Sequence, residues 1–201
     1  MSVIAITTRE ECYLMFNVGD YIVYPMHGAG RINSIEEKDI LGEKQSYIIL
    51  EMPGEVKVMI PAAKAEQVGV RNVIDNSSAE KVFNVLSEEE TEMSMNWNKR
   101  YRENMDKIQS GDAFQVADVV RNLSFKKIKK GLSTGENKML VNARQILVSE
   151  LALAENSTQE EVENRIDNIM NNSFEKYKIA NVEASGVNKF IPFDSEDTVV
   201  G

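Results

Sequence analysis

The stretch Asn96-Trp97-Asn98-Lys99-Arg100-Tyr101-Arg102 sets the only tryptophan of the chain beside three cations and a tyrosine. It follows directly on the most acidic run, Ser87-Glu88-Glu89-Glu90-Thr91-Glu92. Residues 97–148 hold 11 Lys/Arg against 5 Asp/Glu, a net of +6. Residues 1–96 hold 8 against 16 and residues 149–201 hold 4 against 11, so the flanks carry −8 and −7. A chain of net charge −9 thus contains one basic segment, and that segment opens on an aromatic. Cations beside an amphipathic ring suit a phosphate backbone with a wedge or a stack against bases.

A second reading of the tryptophan stands beside that one. Trp97, Tyr101, Met105 and Ile108 recur at helical spacing, as a core-facing stripe does. Spacing leaves both open, the packed ring and the exposed wedge. A tryptophan in the first turn of a helix can bury one ring face and expose an edge.

Most other chemistry is excluded early. No apolar run approaches the roughly 18 residues of a membrane helix, and Arg9-Glu10-Glu11 interrupts any N-terminal leader. A single cysteine, Cys12, rules out an internal disulfide and fits a reducing cytoplasm. One cysteine with one histidine, His27, makes no typical zinc site, and neither EF-hand spacing nor a phosphate-binding glycine loop occurs. His27 lies in the turn-like Pro25-Met26-His27-Gly28 and reads as structural rather than as a general base. The expectation is a protein without catalytic residues, metal, cofactor or small-molecule substrate.

In chain order, residues 1–14 read as a flexible extension. Five short strands are expected between 15 and 71: Tyr21–Tyr24, a bulged Arg31–Glu36, Ser46–Leu50, Val56–Ile60 ended by Pro61, and Gln67–Val70. Short strands with tight turns imply a small Tudor-like or SH3-like β-barrel. Helical periodicity takes over at 72–171. Ser77 with Glu80, and Ser133 with Glu136, form capping-box patterns, as does Ser157/Glu160 or Thr158/Glu161. Met95–Gln109, stopped by Gly111, and the stretch after Asp112 supply further helices, with Phe125–Lys130 as a separate short turn. The fold class is therefore α+β, a small barrel followed by an all-α bundle. Residues 172–201 read as a loosely ordered tail, although Phe190-Ile191-Pro192-Phe193 is apolar enough to dock. Further cations lie at Lys126, Lys127, Lys129 and Lys130, and at Lys138 and Arg144 on the expected long helix.

The chain resembles the CarD/CdnL family of bacterial transcription regulators. The resemblance is carried by Phe16-Asn17-Val18-Gly19-Asp20, Val23-Tyr24-Pro25-Met26-His27-Gly28, Tyr47-Ile48-Ile49-Leu50, Ile60-Pro61 and Val68-Gly69-Val70-Arg71. It continues in Asn96–Tyr101 and in Ala143-Arg144-Gln145-Ile146-Leu147-Val148-Ser149-Glu150-Leu151-Ala152, and so spans about 15–170. It implies that the Tudor-like unit binds the β-subunit lobe of RNA polymerase through Lys38, Ile40 and Met59. It also implies that the helical unit touches promoter DNA at the upstream edge of the bubble, without reading sequence. Trp97 would be the minor-groove wedge there, with Lys99, Arg100 and Arg102 on adjacent phosphates. Relatives often carry arginine at the positions of Lys38 and Met59, and a basic pair where this chain has Asn137-Lys138. The rivals on residues alone are an RNA-binding or ribosome-associated factor, and a protein-only adaptor whose basic helix meets an acidic partner.

Overall fold

The computed structural model describes residues 16–40 and 42–185. The expected extension at 1–14 and the last part of the expected tail, 186–201 with Phe190–Phe193, lie outside them. Five strands come first: β1 (Tyr21–Tyr24), β2 (Gly28–Ile40), β3 (Glu43–Met52), β4 (Val56–Pro61) and the two-residue β5 (Arg71–Asn72). Five helices follow: α1 (Asn76–Ser87), α2 (Trp97–Gln109), α3 (Ala113–Lys130), α4 (Thr134–Glu155) and α5 (Gln159–Ser185). The chain is α+β, as its patterning implies.

The sheet runs β4-β3-β2-β1-β5 with antiparallel pairing throughout, and its ends do not meet. An open sheet therefore replaces the expected closed barrel. The reason lies in the fifth strand. Gln67–Val70 is a turn whose amides bond locally, Val68 to the Lys64 carbonyl and Gly69 to that of Glu66. Only Arg71 and Asn72 remain to pair, and they pair with β1 rather than reach β4. The expected bulge in β2 is present as a register shift between Ile32 and Ser34. Alternation directs Ile22, Ile48, Leu50 and Ile60 into one small core, completed by Phe16, Ala65 and Val70.

The helical unit has its own larger core of Val82, Phe83, Leu86, Val116, Val119, Val120, Leu123, Leu147, Leu151 and Ile166, among others. Its boundaries are set by caps. Asp75, not Ser77, begins α1, because the Asp75 carboxylate accepts from the Ser78 amide. Asn96 caps α2 through the Lys99 amide, and Asp112 caps α3 through that of Phe114. Phe125–Lys130 is not a separate turn: α3 continues through it to Gly131, since buried Phe125 keeps the apolar stripe going. Ser133 and Glu136 close a full capping box on α4. Thr158 and Glu161 do the same at the head of α5. Helix α5 extends to Ser185, past the boundary expected at 171, because Phe174 and Tyr177 pack edge-on against Phe125.

The two cores are joined by a polar lock. Arg71 of β5 donates to both oxygens of the Glu150 carboxylate (2.5 and 2.9 Å) and to the Gly111 carbonyl. Glu150 also accepts from the Ile74 amide, 3.2 Å away. On the other side of the seam the Ser149 hydroxyl accepts from the Ala29 amide at 2.9 Å. Gly28 (φ +103°) fits only because it lacks a side chain: a Cβ there would lie 2.6 Å from Ser149 Oγ. His27 stacks on Tyr24 at 4.4 Å in the same turn, in keeping with a structural role.

Candidate nucleic-acid interface

Trp97 is the first residue of α2, and the structure gives it a position between the two readings of its spacing. Its side chain is 44% exposed. One part of the ring is held: it stacks on Tyr101 with centroids 5.2 Å apart and lies over Gly135 at the start of α4. The indole N–H donates to Ser133 Oγ at 3.0 Å. The remaining edge faces solvent at a place where the N-termini of α2 and α4 meet, both carrying partial positive charge. An amphipathic ring with one fixed face and one free edge can be inserted without rearranging.

The support beneath it is the carboxylate of Glu136, whose side chain is only 2% exposed. It accepts from Arg100 Nε (2.8 Å), Lys126 Nζ (3.0 Å), and the Ser133 amide and hydroxyl (3.0 and 2.9 Å). Burial alone would raise this carboxyl. The Ser133 amide and the two cations outweigh it and hold the group down to about 2, against an ordinary 4.5. The unfolded chain binds the proton more readily, so this contribution is full above about pH 4.5. It is lost as pH falls through the native value. Denaturant titrations at pH 6 and pH 2.5 check this: Glu136→Gln is expected to remove up to about 3 kcal/mol of the acid-induced loss of stability. An unaltered acid profile in that variant would show that the carboxylate is not the group that titrates.

The nine cations grouped with Trp97 by sequence divide in two. Arg100 is turned into the fold, 9% exposed, with Glu136 on Nε and the Ser94 and Met95 carbonyls on Nη1 (2.7 and 3.2 Å). Lys126 bridges Glu136 and the Gly131 carbonyl. Lys129 is paired with Glu90 and sits 3.7 Å over the Tyr177 ring; burial pulls its pKa down, and Glu90 together with Tyr177 outweighs that and leaves it raised. Arg144 ties α4 to α5 through Asp167 (2.7 Å) and the Glu163 carbonyl. The other five are outward: Lys99, loosely paired with Glu103 at 3.7 Å, and Arg102, Lys127, Lys130 and Lys138, none of which has an ion pair among the described residues. Lys138 lies one turn along α4 from Gly135, on which the Trp97 ring rests.

Two of the four glutamates in the acidic run before Trp97 are accounted for by the same geometry. Glu88 pairs with Arg121, which is 1% exposed and also held by Asp118, and Glu90 pairs with Lys129. Part of the basic segment is thus neutralised inside the protein. What remains positive is concentrated on exposed side chains near the heads of α2 and α4 and the tail of α3.

On the sheet, Lys38, Ile40 and Met59 oppose Gln45, Glu43 and Ile49. Those β3 positions are two, four and six residues apart, all even, so the three side chains share one face. Ile40 and Met59 are exposed (40% and 47%), Lys38 contacts Glu36 at 3.1 Å, and β4 is an edge strand.

Residues 16–74 match the CarD-like/TRCF RID domain, and residues 81–167 match the CarD C-terminal domain. The chain belongs to the CarD-like family. A relative from Bacillus subtilis (strain 168), "Putative transcription factor YdeB", is 40% identical over 149 residues, covering 74% of this chain and 97% of its own. The first matched segment ends between β5 and α1 and the second begins within α1, and the Arg71–Glu150 pair joins one to the other. A transcription-associated role follows for this CarD-like chain. No helix among its described residues is long and apolar enough to cross a membrane.

Beyond the site residues expected from sequence, the candidate site of this CarD-like protein includes Ser133, Glu136 and Tyr101. The Ser133/Glu136 spacing was a visible capping signal. Nothing in it told that the same hydroxyl would anchor an indole 36 residues away.

Proposed function

We propose that this protein regulates transcription initiation by docking on the lobe of the RNA polymerase β subunit and stabilising the open promoter complex. The exposed face of the sheet with Lys38, Ile40 and Met59, and the neighbouring free edge of β4, are the docking surface. The half-exposed Trp97 enters the minor groove at the upstream edge of the bubble, while Lys99, Arg102, Lys127, Lys130 and Lys138 lie toward phosphates. The observation that carries this reading is the indole itself, pinned by Ser133 and Tyr101 with its other edge in solvent.

Thermodynamically, a wedge favours the state in which its slot exists. A protein with higher affinity for opened than for closed DNA shifts that equilibrium by the difference alone. Five exposed cations on a chain of net charge −9 give weak DNA affinity by themselves. Polymerase docking supplies the local concentration, and the Arg71–Glu150 lock carries the position of the sheet to the wedge.

The test measures the lifetime of competitor-resistant complexes on one promoter, together with titration of a β-lobe fragment. The parent chain is expected to prolong the lifetime, and Lys38→Glu to weaken lobe binding at least tenfold and to lose the prolongation, with an unchanged melting temperature. Parental lobe affinity in that variant would place the interface elsewhere on the sheet. No prolongation by the parent would reject the reading.

A further inference from the structure

Two residues before Trp97, Met95 is 83% exposed, the largest exposure of any large apolar side chain among the described residues. A lone exposed methionine is ordinary on a protein surface. This one differs in how its backbone is held. The Arg100 guanidinium, itself buried, is tied at two atoms: Nη1 donates to the carbonyls of Ser94 (2.7 Å) and Met95 (3.2 Å), and Nε donates to Glu136 (2.8 Å). The same Glu136 holds Ser133, whose hydroxyl anchors the indole. One buried carboxylate therefore fixes both apolar residues, the ring through Ser133 and the methionine through Arg100.

Asn96 between them is extended (φ −71°, ψ 119°), so their Cα atoms are at most about 7 Å apart. That is about two base steps of 3.4 Å. Methionine is one of the side chains that act as apolar wedges between base steps, and its flexible thioether fits an irregular gap. Lys99 and the N-termini of α2 and α4 adjoin the pair, and of the acidic run that ends at Glu92 both Glu88 and Glu90 are already paired with Arg121 and Lys129, a setting that suits a nucleic-acid fork.

We propose that Met95 is a second prong of the wedge: it enters the opened duplex edge beside Trp97, and the Arg100–Glu136 clamp sets the spacing of the pair. This rests on the wedge reading above. The experiment uses the full chain with RNA polymerase holoenzyme and one promoter, and records complex lifetime and melting temperature. The variants are Met95→Ala, Met95→Leu and Trp97→Ala, with Ile179→Ala as a distant exposed apolar control (58% exposed). On a logarithmic scale, Met95→Ala is expected to lose at least half of the prolongation without a change in melting temperature. Met95→Leu keeps it, and so does the control. A parental lifetime for Met95→Ala beside a shortened one for Trp97→Ala overturns the Met95 proposal alone. Parental lifetimes for both overturn it together with the wedge reading.

Discussion

Replacing Arg100 by alanine is expected to destabilise the helical unit by about 3–5 kcal/mol, the scale for breaking a buried ion pair from one side. The magnitude comes from what is left behind. Glu136 would keep a buried carboxylate with Lys126 and Ser133 but without its Arg100 bond, and the Ser94 and Met95 carbonyls would lose their donor. A loss of that size is a large part of the stability of an ordinary domain. Denaturant melts of the parent and of Arg100→Ala measure it. Arg100→Lys is expected to fall between them, because an ammonium restores charge but cannot reach a carboxylate and two carbonyls with a planar fork. A loss below about 0.5 kcal/mol, the range of a solvated surface charge, would mean that the guanidinium is outward in solution and free for phosphate. The same substitution in a surface cation such as Arg102, which has no ion pair among the described residues, is expected to leave the melt unaltered.

That contrast shows where sequence reasoning ends. Periodicity and caps located the five α-helices, though with α3 split at Phe125 and α1 started from Ser77 rather than Asp75, since each depends on residues within a few positions: Asp112 and the Ser133/Glu136 box act locally. The strands in the interior of the sheet were legible for the same reason, through alternation. The closing strand was not. Whether Gln67–Val70 pairs with β4 or folds back on Lys64 and Glu66 is decided by local amide bonds competing with a distant edge. Composition alone does not rank those two. The cations posed the same difficulty more sharply. Arg100 and Arg102 are two residues apart and chemically alike, yet one is inside and one outside, because 3.6 residues per turn places them about 200° apart around α2. Only the arrival of α4, with Glu136 on it, determines which side is the interior. The division of the basic segment into structural and exposed cations is thus a tertiary fact, and so is the use of Glu88 and Glu90 as internal counter-charges.

Trp97→Ala is expected to abolish the prolongation of the open complex while the chain still folds and still binds the polymerase lobe. A fully buried tryptophan cut to alanine costs about 3–5 kcal/mol. Trp97 is nearly half exposed, so the folding loss is expected at about 1–2 kcal/mol, including the hydrogen bond to Ser133. The functional loss is larger, because the ring contacts that exist only with the opened duplex vanish altogether, and differential affinity is all that shifts the equilibrium. Trp97→Phe separates the two parts of the ring's role. It keeps an aromatic face for Tyr101 and a smaller body for the groove, but it has no N–H for Ser133 Oγ, so its orientation is freer. Partial prolongation is expected from it, with a melt close to the parent's. The measurements are a melting curve and the decay of competitor-resistant complexes, both on the same preparations. A Trp97→Ala melt lower by the full cost of a buried ring would return this residue to the core. Normal folding together with undiminished prolongation would sink the wedge mechanism, since the one exposed aromatic held by both helix N-termini would then be doing nothing at the fork.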